Sequence, residues 1–202
     1  MFKRPTFEEE RALLERGYRV IVGCDEVGCG ALAGPVVSGA VVLPLDSRIS
    51  RIHDSKLLSP KMRENLYGLI TERAIIWSVG IVSVNEIMEM GIRRASLESM
   101  HRAVTQLGDV DFVLVDAWAI PNLNIPQKGI VHGDRKVKSI AAASILAKVT
   151  RDRMMQEYDE KFPEYGFAVH KGYGTKAHRD RIEQYGPCPI HRLTFRTFNA
   201  RV

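Results

Sequence analysis

The stretch VIVGCDEVGCGALAGPVVSGAVVLP, residues 20–44, holds two apolar runs joined by a connection too short for a helix. Residues 20–24 and 36–43 are rich in valine and other β-formers, so both read as strands. The connection DEVGCGALAGP begins with two adjacent carboxylates, Asp25 and Glu26, and continues through Gly28, Gly30 and Gly34 to Pro35. A dinucleotide fingerprint needs G-x-G-x-x-G opening a helix. Here the third glycine comes one residue late and a strand follows, which excludes that reading. Glycines in such a place let backbone N–H and C=O groups approach a ligand closely.

Working outward, strand and helix signals alternate. DSKLLSPKMRENLYGLITERA reads as a loop and then a helix with Ser59 as N-cap and Pro60 at its first position. AIIWSVGIVS is a third strand, and residues 83–108 form one or two helices. DFVLVDAW is a buried strand ending in Asp116, and KGIVHGD is another ending in Asp134. KSIAAASILAKVTRDRMMQEYDEKF is the strongest helix in the chain, stopped by Pro163. The remainder is loop-rich, with a short helix from about Lys176 to Tyr185. Upstream, residues 1–18 read as a short amphipathic helix with Thr6 as N-cap and Gly17 at its end. This order predicts an α/β fold in which an antiparallel meander of three strands continues into two parallel strands, with helices covering the faces. Residues 1–202 are expected to form one domain, with 163–202 as a C-terminal extension.

The 202 residues are about 45% apolar and 26% charged, as in an ordinary globular domain. Lysine and arginine (29) outnumber aspartate and glutamate (24), a net charge of +5 that suits a polyanionic partner without requiring one. Cys24, Cys29 and Cys188 form no pair with zinc spacing, which points to a reducing compartment. No apolar run approaches the roughly 20 residues of a membrane span. The N-terminus lacks a signal-peptide core, so a cytoplasmic protein away from membranes is expected.

Asp25, Glu26, Asp116 and Asp134 share one context: each is expected at or just beyond the C-terminal end of a buried strand. Neighbouring strands would bring these ends together, where ligands of open α/β sheets bind. Four carboxylates in one place call for a cation. Oxygen-only ligands favour Mg²⁺ or Mn²⁺, and two such ions about 3.5–4 Å apart suit phosphodiester hydrolysis. For any one of these residues a turn or helix cap is the simpler account. Asp152 competes for a place in the set, but between Arg151 and Arg153 in mid-helix it reads as an exposed salt bridge. In VHKGYGTKAH, His170, Lys171, Tyr173, Lys176 and His178 surround two glycines. Basic groups suit phosphate contact and the ring suits stacking, although a solvated loop explains the composition equally well. Lys56 lies in a loop beside serine and aspartate. His53, His101 and His191 have no partner at metal spacing and read as structural or surface residues.

Together the blocks DEVGCGALAGPVV, DSKLLSPKMRENLY, VLVDAW, GDRKVKSIAAASILAKVTRD and HKGYGTKAH through IHRLTF resemble ribonuclease HII. The resemblance implies an RNase H-like fold with a five-stranded mixed sheet flanked by helices, and a helical C-terminal part that binds substrate. It implies an endonuclease that cuts the RNA strand of RNA/DNA hybrids. Single ribonucleotides in duplex DNA would be cut on their 5′ side, leaving 3′-hydroxyl and 5′-phosphate ends. A place in ribonucleotide excision repair and DNA replication follows. Carried over, Asp25, Glu26, Asp116 and Asp134 are the catalytic acids that hold two Mg²⁺ or Mn²⁺ ions, and Asp152 is not among them. The family's G-R-G turn, whose backbone reads the ribonucleotide 2′-hydroxyl, corresponds to Gly28, Cys29 and Gly30, so the central arginine is absent. Tyr173 matches the tyrosine that stacks on the next deoxyribose. Lys56 and Lys148 match family lysines, Lys56 as a phosphate contact. His132 replaces a lysine found in many relatives. The related ribonuclease HIII carries a large N-terminal substrate-binding domain, whereas about 19 residues precede the first strand here. A small-molecule phosphohydrolase and a non-catalytic nucleic-acid binder are the other classes. A monomer is expected.

Overall fold

The computed structural model describes residues 4–50, 52, 55 and 58–199, the last without its side chain. Strand β1 (Ile21–Val27) and strand β2 (Val36–Val42) pair antiparallel, and β2 pairs antiparallel with β3 (Ile76–Val82). On its other side β1 pairs in parallel with β4 (Phe112–Asp116), and β4 with β5 (Gln127–Ile130). The order β3-β2-β1-β4-β5 is the expected mixed sheet, a meander of three strands continued by two parallel ones.

Before β1 lies helix α1 (Glu8–Glu15). Between β2 and β3 lies α2 (Pro60–Arg73), and between β3 and β4 lie α3 (Val84–Met90) and α4 (Ile92–Thr105). After β5 come α5 (Lys138–Lys161), α6 (Phe167–His170), α7 (Lys176–Tyr185) and α8 (Arg196–Asn199). No helix among the described residues is long and apolar enough to cross a membrane.

Three layers result. Helix α5 lies on one face of β1 and β2 with α2 packed behind it, through Val41, Leu66, Ile70, Ile145 and Leu146. Helix α4 covers the other face through Met100, Ala103 and Val104 against Val22, Val113 and Val115. Each buried aliphatic side chain of these layers contributes about 1.5–3 kcal/mol. Two glycines set how closely α5 approaches the sheet. A Cβ on Gly23 would stand 2.2 Å from the Ser139 carbonyl carbon, and one on Gly39 would stand 2.3 Å from the Ala143 oxygen. With backbone as the obstacle, no side chain fits at either place.

The helix starts follow their local chemistry. Ser59 caps α2 by accepting from the Met62 N–H, with Pro60 in the first turn. Ser83 and Glu86 form a capping box that begins α3. Four local expectations are corrected. Thr6 does not cap α1: Phe7 holds that position, and the Thr6 hydroxyl accepts from the Glu8 N–H at 3.4 Å. Strand β5 stops at Ile130, because His132 turns left-handed (φ 57°) and a 3-10 turn, Gly133–Arg135, carries Asp134. The segment after Pro163 contains the extra short helix α6. Arg151 and Asp152 do not form an exposed pair. Arg151 is fully buried, and Asp152 is half-buried and bound to Lys148 (2.6 Å) and Arg63 (3.5 Å).

Candidate active site

Strand register brings the acids together. The last β1–β4 pair is Cys24 with Val115, so Asp25 and Asp116 are each the next residue along. Side chains alternate along a strand. Cys24 therefore packs on the α4 side, while Asp25 shares the α5 side with Gly23. Both Asp25 and Glu26 lie within β1, not after it. The turn carrying Asp134 is tied back to β4, because Asp116 Oδ1 accepts from the Gly133 N–H at 2.6 Å. Asp25 Oδ1 accepts from the Glu26 N–H at 2.8 Å.

Asp25 and Asp134 are buried, while Glu26 and Asp116 are partly exposed. Burial first, and then the nearby charges of Glu26, Asp116 and Asp134, push the Asp25 carboxyl well above the usual carboxylate range; a hydrogen bond with Ser144 opposes the rise. The Ser144 hydroxyl also lies 3.0 Å from that of Ser55. A buried carboxylate crowded by three others needs positive charge. The four offer only hard oxygen donors, so the set fits Mg²⁺ or Mn²⁺. No three Asp, Glu, His or Cys side chains among the described residues already surround a common point for an ion. The fold thus delivers the donors to one place without a preformed cage.

The Gly28–Gly30 turn lies beside these acids. Gly28 has φ +104°, and Gly30 has open space where a Cβ would stand. Cys29 Sγ is 3.7 Å from Glu26 Oε1, and burial, then the Glu26 charge, pushes its thiol up to about 12. The C-terminal segment zips onto this connection. Ala31 bridges Tyr173 and Ala33 bridges His191, with Leu32 N–H donating to Gly172 O and Gly34 N–H to Ile190 O. The structure therefore places Tyr173 next to the glycine turn. Lys148 and Arg151 lie 5.7 and 5.4 Å from the centroid of its ring. Lys148 is ion-paired with Asp152, and burial lowers its pKa. Lys56 and His53 lie outside the described residues.

Several supporting residues lie inside the resembling blocks but had no role assigned from the sequence. Arg151 donates to the carbonyls of Ala33, Pro35 and Lys171, and Arg192 to those of Cys29, Gly34 and Pro35. Both are fully buried. The blocks GDRKVKSIAAASILAKVTRD, which contains Arg151, and IHRLTF, which contains Arg192, were the available signal for this clamp.

His178 and His191 are also buried. Cys188 N–H donates to His191 Nδ1 at 2.9 Å, which puts the His191 proton on Nε2, 3.1 Å from His178 Nε2. His178 Nδ1–H then donates to the Tyr173 carbonyl at 3.0 Å. The chain closes only with both rings neutral. Burial lowers both to about 4, with the His170 ring adding to the effect at His178. The unfolded chain takes up protons near 6.5 that the folded one refuses, so stability falls as pH drops from about 6.5 toward 4. Urea midpoints at pH 7 and pH 5 should differ markedly in the unaltered protein. They should differ less in a His178→Gln/His191→Gln variant; an unchanged difference would remove this pair as its source.

A mixed sheet with four acids at its strand ends, beside a glycine turn, defines a nuclease of the RNase H-like class. The ribonuclease HII family model matches residues 22–198. A ribonuclease HII of Syntrophotalea carbinolica is 49% identical over 193 residues, covering 95% of this chain and 92% of that protein. The chain belongs to the ribonuclease HII family, and is a ribonuclease H, a hydrolase acting on RNA/DNA. Among solved structures, the ribonuclease HII of Archaeoglobus fulgidus in its complex with PCNA is similar at a TM-score of 0.75 and 26% identity, over 90% of this chain and 97% of that one. Bst-RNase HIII in complex with Mn²⁺ shares the fold at a TM-score of 0.69 and 16% identity, over 89% of this chain and 68% of that one.

Proposed function

We propose that the protein cuts the RNA strand of RNA/DNA hybrids and the 5′ side of single ribonucleotides in duplex DNA, leaving 3′-hydroxyl and 5′-phosphate ends. One observation carries this reading: buried Asp25 lies among three further carboxylates, at the strand end beside the turn that Tyr173 adjoins. Asp25, Glu26, Asp116 and Asp134 would hold two Mg²⁺ or Mn²⁺ ions, in keeping with the metal dependence of ribonucleases H. Such ions, when bound, supply charge neutralisation at the phosphate and lower the pKa of water.

The chain's own residues do the rest. Backbone N–H groups hold one oxygen each of Asp25 and Asp116, which orients both carboxylates before substrate arrives. Backbone at Gly28, Cys29 and Gly30 meets the 2′-hydroxyl. Tyr173 stacks on the following deoxyribose, Lys56 serves as a phosphate contact, and Lys148 belongs to the substrate-binding set. Residues 163–202 act as the substrate-binding extension of a single domain. The enzyme acts as a cytoplasmic monomer, in ribonucleotide excision repair and DNA replication. Cys29, in the place of the turn arginine, favours one second reading: a hybrid nuclease without junction preference, as in ribonuclease HIII.

A labelled duplex with one ribonucleotide, in Mg²⁺ and separately in Mn²⁺, tests the proposal against an all-DNA duplex. A single cut 5′ of the ribonucleotide supports it. Cleavage of a long hybrid alone favours the second reading, and no cleavage of either substrate sinks both. Tyr173→Ala should lower cleavage at the single ribonucleotide roughly 10-fold, the worth of one stacking contact, and affect long hybrids less. Equal losses on the two substrates would remove Tyr173 from junction reading.

A further inference from the structure

Asp152 stands outside the acid set, yet it joins two parts of the site. A cavity of about 540 Å³ opens between α2, α5 and residues 168–173, with Arg63, Lys148, Asp152, Lys171 and Tyr173 on its walls. Each Asp152 oxygen takes a different cation. Oδ1 lies 2.6 Å from Lys148 Nζ, and Oδ2 lies 3.5 Å from Arg63 Nη2. The three side chains are only 12–15% exposed, so salt screens these pairs less than it would on an open surface.

Both arms lead toward groups of the substrate-binding set. On one arm the Lys148 ammonium lies 5.7 Å from the centroid of the Tyr173 ring. Among the described residues it donates to Asp152 alone, which leaves two of its three N–H donors for substrate. On the other arm Arg63 Nη1 donates to Ser55 O at 3.1 Å and to Leu58 O at 2.6 Å. Ser55 and Leu58 flank Lys56 and Leu57 in sequence. Ser55 is itself buried, with its hydroxyl 3.0 Å from that of Ser144, the residue hydrogen-bonded to Asp25. Arg63 therefore pins both ends of the segment that carries Lys56.

A pair that only tied α2 to α5 would need one cation. Asp152 instead stands among Arg63, Lys148 and Lys171, with Arg151 also against the Tyr173 ring. Glu64, the other acid of the cavity, is bound to Arg153 at 2.6 Å. Positive charge is in excess, as suits a polyanion. Without Asp152 these cations repel one another and lose their arrangement. We infer that Asp152 is a positioning residue for substrate binding, which holds Lys148 beside the Tyr173 ring and, through Arg63, holds the segment that carries Lys56. The inference rests on the nuclease reading. Asp152 acts through other side chains, and its loss falls on KM rather than kcat.

The test is steady-state cleavage of a duplex with one ribonucleotide and of a long hybrid, at a temperature where circular dichroism shows each variant folded. Asp152→Asn keeps the shape and removes the charge. It should raise KM for the duplex about 10-fold, the worth of ordering two long side chains on binding, and leave kcat nearly unchanged. The rise should be smaller on the hybrid, where Tyr173 matters less. Asp152→Glu keeps the charge and should recover part of the loss. In a Lys56→Ala background, Asp152→Asn should raise KM less, because one arm then has nothing to position. Arg63→Gln cuts that arm alone and should raise KM on both substrates alike. If Asp152→Asn lowers the melting temperature but KM stays within about twofold, while the unaltered protein cuts the duplex, Asp152 only ties α2 to α5. The inference is then overturned and the nuclease reading stands. Should Asp152→Asn fail to fold, an unchanged KM in Arg63→Gln overturns it equally. If the unaltered protein cuts neither substrate, both readings fall together.

Discussion

Asp25→Asn should reduce cleavage about 1,000-fold or more while raising the melting temperature of the metal-free protein. The two effects share a cause. Asp25 is buried beside three other carboxylates, so its ionised form is disfavoured in the fold. Its folded pKa stands above the usual 3.8. The unfolded chain therefore loses this proton first, and stability of the metal-free fold declines as pH rises from about 4. Asparagine keeps the shape and can still accept from the Glu26 N–H through its carbonyl oxygen, but brings no charge. For a 202-residue chain each kcal/mol recovered raises the melting temperature about 2–4 °C. The cost is the loss of one hard anionic donor. A metal clamp contributes several kcal/mol to phosphoryl-transfer transition states, and 4 kcal/mol is about three powers of ten in rate. Melting in EDTA and in Mg²⁺ gives a readout independent of turnover. The unaltered protein should gain more from Mg²⁺ than the variant does. A variant that melts lower in EDTA, or one that still cuts within tenfold of the unaltered protein, would remove Asp25 from this role.

The order of elements was legible because each strand carries its own β-rich run and each connection its own punctuation. The short link between residues 24 and 36 forced an antiparallel pair, and the helices after Ser59 and before Pro163 have strong local signals. The positions of the four acids followed from strand ends converging, although periodicity could not show that β5 stops at Ile130. That boundary is set by a left-handed His132 and by Asp116 accepting from the Gly133 N–H, a contact across the sheet that no local pattern encodes. Arg151 was misread for a similar reason. Its neighbours in sequence, Thr150, Asp152 and Arg153, are polar, which suggests an exposed face. The pocket that buries it is made by residues 33–35 and 171, distant in sequence.

Arg192→Ala should lower stability by about 3–5 kcal/mol, because buried carbonyls lose a charged donor, and should also damage junction cleavage. Arg192 Nε and Nη2 donate to Gly34 O at 2.9 and 2.7 Å, Nη2 donates also to Pro35 O at 3.1 Å, and Nη1 donates to Cys29 O at 3.2 Å. Burial, then the neighbouring Arg151, lowers its pKa to about 10, so it remains charged at neutral pH. Alanine leaves the Cys29 and Gly34 carbonyls facing a dry gap without a donor, each costing about 1–3 kcal/mol when unsatisfied. Arg151 covers Pro35 from the other side but does not reach Cys29 or Gly34 among its hydrogen bonds. The melting temperature should therefore fall roughly 6–20 °C. Cys29 is the centre of the proposed 2′-hydroxyl turn, and its carbonyl direction is set by the lost guanidinium. At a temperature where the variant is folded, cleavage at a single ribonucleotide should drop more than cleavage of a long hybrid. Arg192→Lys keeps the charge but not the planar fork, and should recover part of the stability and little of the junction preference. A melting temperature within 2 °C of the unaltered protein would show that the clamp is redundant with Arg151. A large fall in stability with both substrates cut in their original ratio would confine Arg192 to holding the fold.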